Sequence, residues 1–486
     1  MLKKVIFNKN NLYFVLIIIV GCFVRYYNFD KYGYWLDEYW GTFYLSNPEL
    51  TFSGLKERIF DFGKFQHGMP EPTPIYYYYF LNIFFDNFGY TAQNGRIFSI
   101  IFSSMSLIFF FLISKIITSN FNSFVSLILI TFNIFLIWEA QEARVQSFNL
   151  FLVSINLYIF CYLYFQKMTI SVSTIYIISN FLMLSVHPLT GPIILANSIF
   201  LLIKRNKKSI KILSLIFISA ILYLIGNFEY LVERINVEEF VHHAKISHSF
   251  FYSYHFKTFF GNVYFGALNL FLILILIISA GFQLIKNKRL FYLTLLIIIT
   301  YVSLLVISII FQPVMHPRYK IYIIPIILIW VSMTMNYLKI KNLKFIIYFY
   351  IILTIGNYFI FYEDRHLKKP NINEPLKLVL QSDTKKLYLV DYIHSGHYFQ
   401  YFKREKIILN SNIDLLEQNQ INHEKFWVLC VDDVASFSLQ TIKGNRLQSN
   451  CFPKFLNIKN YKLLETNEFE RTRLNLFVQN EKQNNL

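Results

Sequence analysis

Apolar runs of membrane-crossing length, separated by short polar breaks, recur from Leu12 to about Tyr362. Roughly 20 apolar residues of helix are needed to cross a bilayer core. Reading each run between its breaks predicts about eleven spans, over 11–27, 95–117, 121–138, 148–165, 170–187, 189–203, 210–229, 263–285, 290–312, 319–338 and 343–362. Beyond Tyr362 the pattern changes and stays polar to Leu486. There "KKLYLVD", "KIILN" and "KFWVLCVDD" read as short strands, and "YKLLETNEFERTRLNLFVQN" as a closing pair of strands. "SGHYFQYF" predicts a helix opened by Ser395. The predicted fold class is a polytopic α-helical membrane protein, with a transmembrane domain over 1–362 and a small soluble α/β domain over 363–486.

Composition strengthens this picture. Of the 486 residues, 55% are hydrophobic and 15% charged, whereas soluble domains carry about 25% charge. The basic N-terminus "MLKKVIFNKN" precedes an apolar stretch with no small-residue cleavage site, which predicts an uncleaved first helix. A net charge of +17 would suit nucleic acid, but its distribution argues otherwise. Basic residues cluster at Lys3/Lys4/Lys9, Lys204/Arg205/Lys207/Lys208/Lys211, Lys286/Lys288/Arg289 and Lys339/Lys341/Lys344. With eleven spans and a cytoplasmic N-terminus, every cluster falls on the cytoplasmic side, as the positive-inside rule requires. The expected topology is multi-pass with a cytoplasmic N-terminus, and no nucleic-acid partner is expected. Segments 28–94 and 230–262 and the tail then face outward. Cys22 and Cys161 fall inside spans as small hydrophobes, and Cys430 and Cys451 could pair if the tail is extracytoplasmic.

The polar residues are distributed unevenly. "WLDEYW", "QHGMPEPTP", "WEAQEAR", "VHPLTG" and "PVMHPRY" all fall at outward helix ends, while the cytoplasmic connections are short and basic. Five such segments could surround one site. Asp37 and Glu38 follow the first span. Neighbours on a helix point about 100° apart and on a strand to opposite faces, so one carboxylate can meet a reacting group while the other holds the scaffold. His67 precedes three prolines, which force an extended path, and a tyrosine run suited to the interface. Glu139 and Glu142 are spaced to share a helix face, and Arg144 could pair with either or bind a phosphate through its planar fork. His187 sits where one span ends at Pro188. Arg318, beside His316 and Tyr319, lies at an outward helix end against the positive-inside trend, which predicts an anionic partner. The histidine spacing is too irregular for a zinc site.

In this order the segments resemble those of the membrane-embedded GT-C glycosyltransferases, in the protein O-mannosyltransferase-like branch. The acidic pair of the first external loop is matched by Asp37 and Glu38. The His/Pro-rich stretch leading to aromatics is matched from His67, and "FG…R" by Gly89 and Arg96. "AQEAR" stands at Ala140–Arg144, a histidine ends the fifth span at His187, and "PRY" is Pro317–Tyr319. The chain departs at Gln146, where a Tyr is common, and in extra residues between His67 and Pro74. The resemblance implies transfer of a sugar from a polyprenyl-phosphate carrier lying among membrane lipid to a hydroxyl of a protein, lipid or glycan acceptor, with inversion, at the outer face of the inner (cytoplasmic) membrane. It implies Asp37 as base, Arg318 and Arg144 as phosphate contacts, and His67 and His187 as secondary contacts. Arg96, Glu142 and Tyr319 join them as substrate-binding candidates through the matched motifs. Glu38 is expected to serve structure, or a divalent cation if one is used. Two other classes fit the sequence less well. A non-GT-C polysaccharide polymerase or ligase would also use outward arginines, but it does not call for the acidic pair. A transporter would place polar groups at the midplane, where these spans have almost no charge.

Overall fold

The structure, a computed structural model, describes residues 12–31, 38, 40–66, 75–235, 255–310, 314–338, 343–363, 373–390, 408–410, 423–431, 458, 460–469 and 472–480. It divides into two compact units. The first is Met1–Tyr27 with Pro48–Tyr362, and the second is Asn28–Asn47 with Glu363–Leu486.

The first unit is helical. Its elements are α1 (Leu12–Tyr26), α2 (Phe52–Gln66), α3 (Ile75–Phe88), α4 (Ala92–Ile117), α5 (Asn120–Thr131), α6 (Ile134–Ala140), α7 (Val145–Phe165), α8 (Ile170–Val186), α9 (Gly191–Lys204), α10 (Lys207–Gly226), α11 (Phe228–Ile235), α12 (Val263–Ala280), α13 (Lys288–Ile310), α14 (Ile323–Thr334) and α15 (Leu343–Phe361). Among the described residues six of these are long and apolar enough to cross a membrane, and α5 with α6, bent by 55° at the break between them, reach that length only together. Four shorter apolar helices complete the set. Together they coincide with the eleven apolar runs of the sequence.

Side-chain caps set where many of these helices begin. Thr91, Ser119, Asn133, Thr169, Asn206 and Asn262 each accept a backbone N–H from the first turn of the helix that follows. Such caps satisfy donors that a helix start leaves orphaned. Asn133 explains the bend. By capping α6 inside a predicted continuous span it restarts the helix, and its amide donates to Phe259 O at 3.1 Å. The break frees the carbonyl of Thr131. That oxygen accepts from Arg25 Nη1 at 3.4 Å. Arg25 is fully buried and also donates to Ser103 Oγ and Gly21 O, both at 3.0 Å. One arginine thus joins α1 to α4 and to the broken span.

Polar side chains also join helices within the bundle. Asn156 Nδ2 of α7 donates to Ser179 Oγ and Asn180 Oδ1 of α8 at 3.0 and 2.8 Å, and Asn180 Nδ2 reaches Ser219 Oγ of α10 at 3.3 Å. Tyr292 Oη of α13 donates to Asn197 Oδ1 of α9 at 2.9 Å. In hydrocarbon such groups must find partners inside the protein.

The second unit contains α16 (Asn373–Gln381) and β1 (Lys386–Val390), β2 (Ile408–Asn410), β3 (Lys425–Val431), β4 (Tyr461–Phe469) and β5 (Thr472–Gln479). The strands form a sheet of order β2-β1-β3-β5-β4, parallel from β2 to β3 and antiparallel beyond. β3 lies at the centre with Phe426 to Cys430 buried on both faces, which is why its sequence is almost continuously apolar. The five strands fall where the sequence predicts them, and α16 is an addition. The helix expected at "SGHYFQYF" lies outside the described residues. Cys430 is disulfide-bonded, Cys22 and Cys161 are free thiols, and Cys451 lies outside the described residues. In the same unit Lys31 Nζ and Glu363 Oε1 form an ion pair at 2.6 Å.

Candidate active site

Of the candidate residues of the first unit, Glu142, Arg144, Arg318 and Tyr319 lie on two turns. The first joins α6 to α7 through Gln141–Arg144, and the second is the 3₁₀ turn Pro317–Lys320 ahead of α14. α6 stops at Ala140 with Gln141 as its C-cap, so Glu139 lies in the helix and Glu142 beyond it. Both carboxylates nonetheless meet Arg318. Its Nε lies 3.3 Å from Glu139 Oε1 and its Nη2 3.3 Å from Glu142 Oε2. The two glutamates are fully buried and the arginine side chain is 16% exposed. The sequence predicts an anionic partner for Arg318, and there are two. Adjacency in sequence suggested Arg144 as partner of these glutamates. Arg318, more than 170 positions away, forms the fork between them.

Neighbouring contacts fix this geometry. Ser147 Oγ donates to Glu139 O at 2.9 Å, and Arg144 N–H donates to Glu142 O at 2.8 Å. Gln141 Nε2 donates to Arg25 O, Tyr27 O and Tyr362 Oη within 3.1 Å, and Trp138 Nε1 donates to Tyr362 O at 2.9 Å. The turn bearing the glutamates is therefore tied to the ends of the first and last spans. Across the site, Arg318 N–H donates to His316 Nδ1 at 3.2 Å. The Tyr319 ring meets His187 at 5.7 Å and His316 at 5.6 Å between centroids. His187 is buried, sits at the end of α8, and lies within electrostatic reach of Arg144. Tyr322 Oη donates to Leu189 O at 2.8 Å and ties the segment just after His187 to the start of α14. Arg96 is buried on α4, a helix that packs on both α6 and α7.

Three further groups were not singled out in the sequence. Gln141 is one. Lys320, fully buried, donates to Met315 O at 2.6 Å and lies 5.7 Å from the Tyr301 ring centre. Buried His255 pairs its Nε2 with Tyr301 Oη at 2.7 Å. Burial first, and the Lys320 charge second, hold His255 well below the usual imidazole range. A lysine just inside a predicted span was the legible signal for Lys320, whereas His255 offered none.

Glu38 belongs to the second unit and is fully buried, not solvated as an isolated interfacial acid would be. Asp37 and His67 lie outside the described residues. Among the described residues no three His, Cys, Asp or Glu side chains cluster as metal ligands would.

Arg318 between Glu139 and Glu142 is net negative alone, so an anion would be drawn here only with further positive charge. Arg144, two positions after Glu142, is the candidate the sequence offers for it. Lys320, two after Arg318, turns its amine to Met315 O and the Tyr301 ring instead.

No family profile matches the chain, and no curated protein matches it in sequence. Solved structures do match in fold. ArnT from Cupriavidus metallidurans bound to undecaprenyl phosphate is 9% identical, with TM-score 0.55 over 96% of this chain and 98% of that one. Its apo state gives a TM-score of 0.57 over the same shares. The Archaeoglobus fulgidus oligosaccharyltransferase tethered with an acceptor peptide is 11% identical, with TM-score 0.52 over 83% of this chain and 64% of that chain. The chain has the GT-C fold that its motif order suggested: a mostly helical membrane protein with several apolar spans.

Proposed function

We propose that this protein is a membrane glycosyltransferase that moves a sugar from a polyprenyl-phosphate carrier to an acceptor hydroxyl. The observation that carries this reading is the Glu139–Arg318–Glu142 fork, buried where turns from distant parts of the chain meet, on a fold similar to that of ArnT and the archaeal oligosaccharyltransferase. A guanidinium fixed by two carboxylates is oriented before substrate arrives, and preorganised charge is what lowers the barrier for a leaving anion.

The chemistry follows from the roles. Asp37 accepts the acceptor hydroxyl's proton while that oxygen attacks the anomeric carbon. The bond from that carbon to the carrier phosphate breaks on the opposite face, inverting the centre, and polyprenyl phosphate leaves. Arg318 and Arg144 offset the charge developing on the phosphate, with His187 and Tyr319 shaping the same wall. His67, Arg96 and Glu142 complete the proposed substrate contacts. Glu38, being buried, serves the scaffold. The carrier reading is supported by the undecaprenyl phosphate bound in ArnT and the dolichol-phosphate in the archaeal enzyme complex. Within it, a mannosyltransferase-like specificity and an outward-facing site in the inner membrane, with the tail extracytoplasmic, remain parts of the proposal that rest on sequence.

Asp37→Asn tests it. Purified enzyme in liposomes with a polyprenyl-phosphate sugar is expected to lose transfer while its unfolding profile stays that of wild type. Near-wild-type turnover by Asp37→Asn would overturn the assignment. Mass spectrometry of surface glycans, lipids and glycoproteins in a deletion strain identifies sugar and acceptor.

A further inference from the structure

A cavity of about 370 Å³ opens between α2, α3 and the corner where α10 passes into α11. All of these belong to the first unit, and the cavity's lining shares no residue with the fork at Arg318. Phe52, Ile59, Tyr76 and Tyr230 form its apolar walls. Ile225 and Phe228 at its rim are 74% and 65% exposed. Ile225 is in the last turn of α10 and Phe228 just beyond it, at the end of that span opposite the basic cluster Lys204–Lys211, where exposed apolar side chains suit the lipid boundary. One wall differs from the rest. Lys56 and Glu229 form an ion pair there, both partly exposed.

We propose that this cavity binds a membrane amphiphile with a zwitterionic head group, of the phosphoethanolamine type. The apolar rim admits a hydrocarbon chain from the membrane and is unsuited to a water-soluble sugar. The ion pair gives the head group its match, phosphate to Lys56 and ammonium to Glu229. An exposed ion pair contributes little to stability, so exchanging its partners for those of a ligand costs little. A purely anionic head would gain at Lys56 and be opposed by Glu229. The volume lies in the range of small-molecule sites. Asn227, also in the lining, donates to Ser185 Oγ at 2.9 Å, two residues before His187. An occupant therefore bears on the helix that presents His187. The inference stands on the cavity and does not depend on the transferase reading.

The test is equilibrium binding of fluorescent lipids to the full-length protein in neutral maltoside micelles. A phosphoethanolamine lipid is expected to bind saturably, and about tenfold more tightly than phosphatidylglycerol or diacylglycerol. Lys56→Ala and Glu229→Ala are each expected to weaken it about tenfold. Ile225→Arg at the rim is expected to weaken it with the ion pair intact. Unfolding curves of the three variants, at exposed or partly exposed positions, check that the fold survives. Equal binding by wild type and the charge variants would overturn the proposal. So would a preference for phosphatidylglycerol, or displacement by polyprenyl phosphate at matching concentration, which would assign the cavity to the carrier.

Discussion

Arg318 shows how much can depend on one side chain. Its removal leaves two buried carboxylates facing each other across the space it filled. Losing one partner of a buried ion pair costs about 3–5 kcal/mol, and Arg318→Met is expected to fall in that range by denaturant unfolding. Arg318→Lys keeps the charge, but an ammonium is a point charge and cannot span both acids as a fork does. It is expected to fall between the two in stability. His255 makes a second prediction, with a sign. Its folded pKa lies below the unfolded value of about 6.5, so below that pH the unfolded chain binds the extra proton. The stability His255 contributes is present above about pH 6.5 and is lost as pH falls. Wild type should therefore melt at lower temperature at pH 5.5 than at pH 7.5, and His255→Gln, which can keep a hydrogen bond to Tyr301, should show a smaller difference. If the two profiles are parallel, His255 is not the group responsible. At this scale the sequence was only partly informative. Glu139, Glu142, Arg144, His187, Arg318 and Tyr319 stood out as polar residues at helix ends. Pairing Arg318 with glutamates so far away in the chain could not be read, because a single sequence shows neighbours along the chain and not across it.

At the scale of elements, each apolar run became a helix because the requirement that creates the run, burying a hydrogen-bonded backbone in hydrocarbon, also demands the helix. The break in the third span escaped this logic. "ITFNIF" remains apolar through the bend, and the one signal was Asn133, a favoured cap residue, inside the run. Contacts between elements were equally hidden. Asn156, Ser179, Asn180 and Ser219 each look like a tolerated polar residue in its own span, yet they form one network across α7, α8 and α10. Hydrogen bonds between membrane helices average about 0.6 kcal/mol. Asn180→Ala removes two of them and is expected to cost roughly 1 kcal/mol, measured as a shift in the unfolding midpoint. Gln141→Ala should do more than that, since Gln141 binds the ends of both the first and last spans to the turn that carries Glu142. A loss of transfer exceeding the loss of stability would separate positioning of that turn from general support.

At the scale of the whole molecule, the sequence changes composition after Tyr362, and the second compact unit groups residues 28–47 with Glu363–Leu486. That grouping could not be anticipated, because a loop between spans carries no mark of the unit it packs with. The orientation proposed from the basic clusters makes its own prediction: protease added to right-side-out vesicles should cut within 363–486, and cleavage from the cytoplasmic face would reverse the assignment. Arg25 also has a consequence for synthesis. Its partners Ser103 and Thr131 follow it by 78 and 106 positions. At about 5–20 residues per second of translation, the first helix leaves the ribosome roughly 5–20 s before the carbonyl at the broken span exists. During that interval the guanidinium has Gly21 O of its own helix and the headgroup region, which a long cationic side chain near a helix end can reach. The first helix is thus inserted early and seated late. Its final depth is set by a bend that has not yet been made when it enters the membrane.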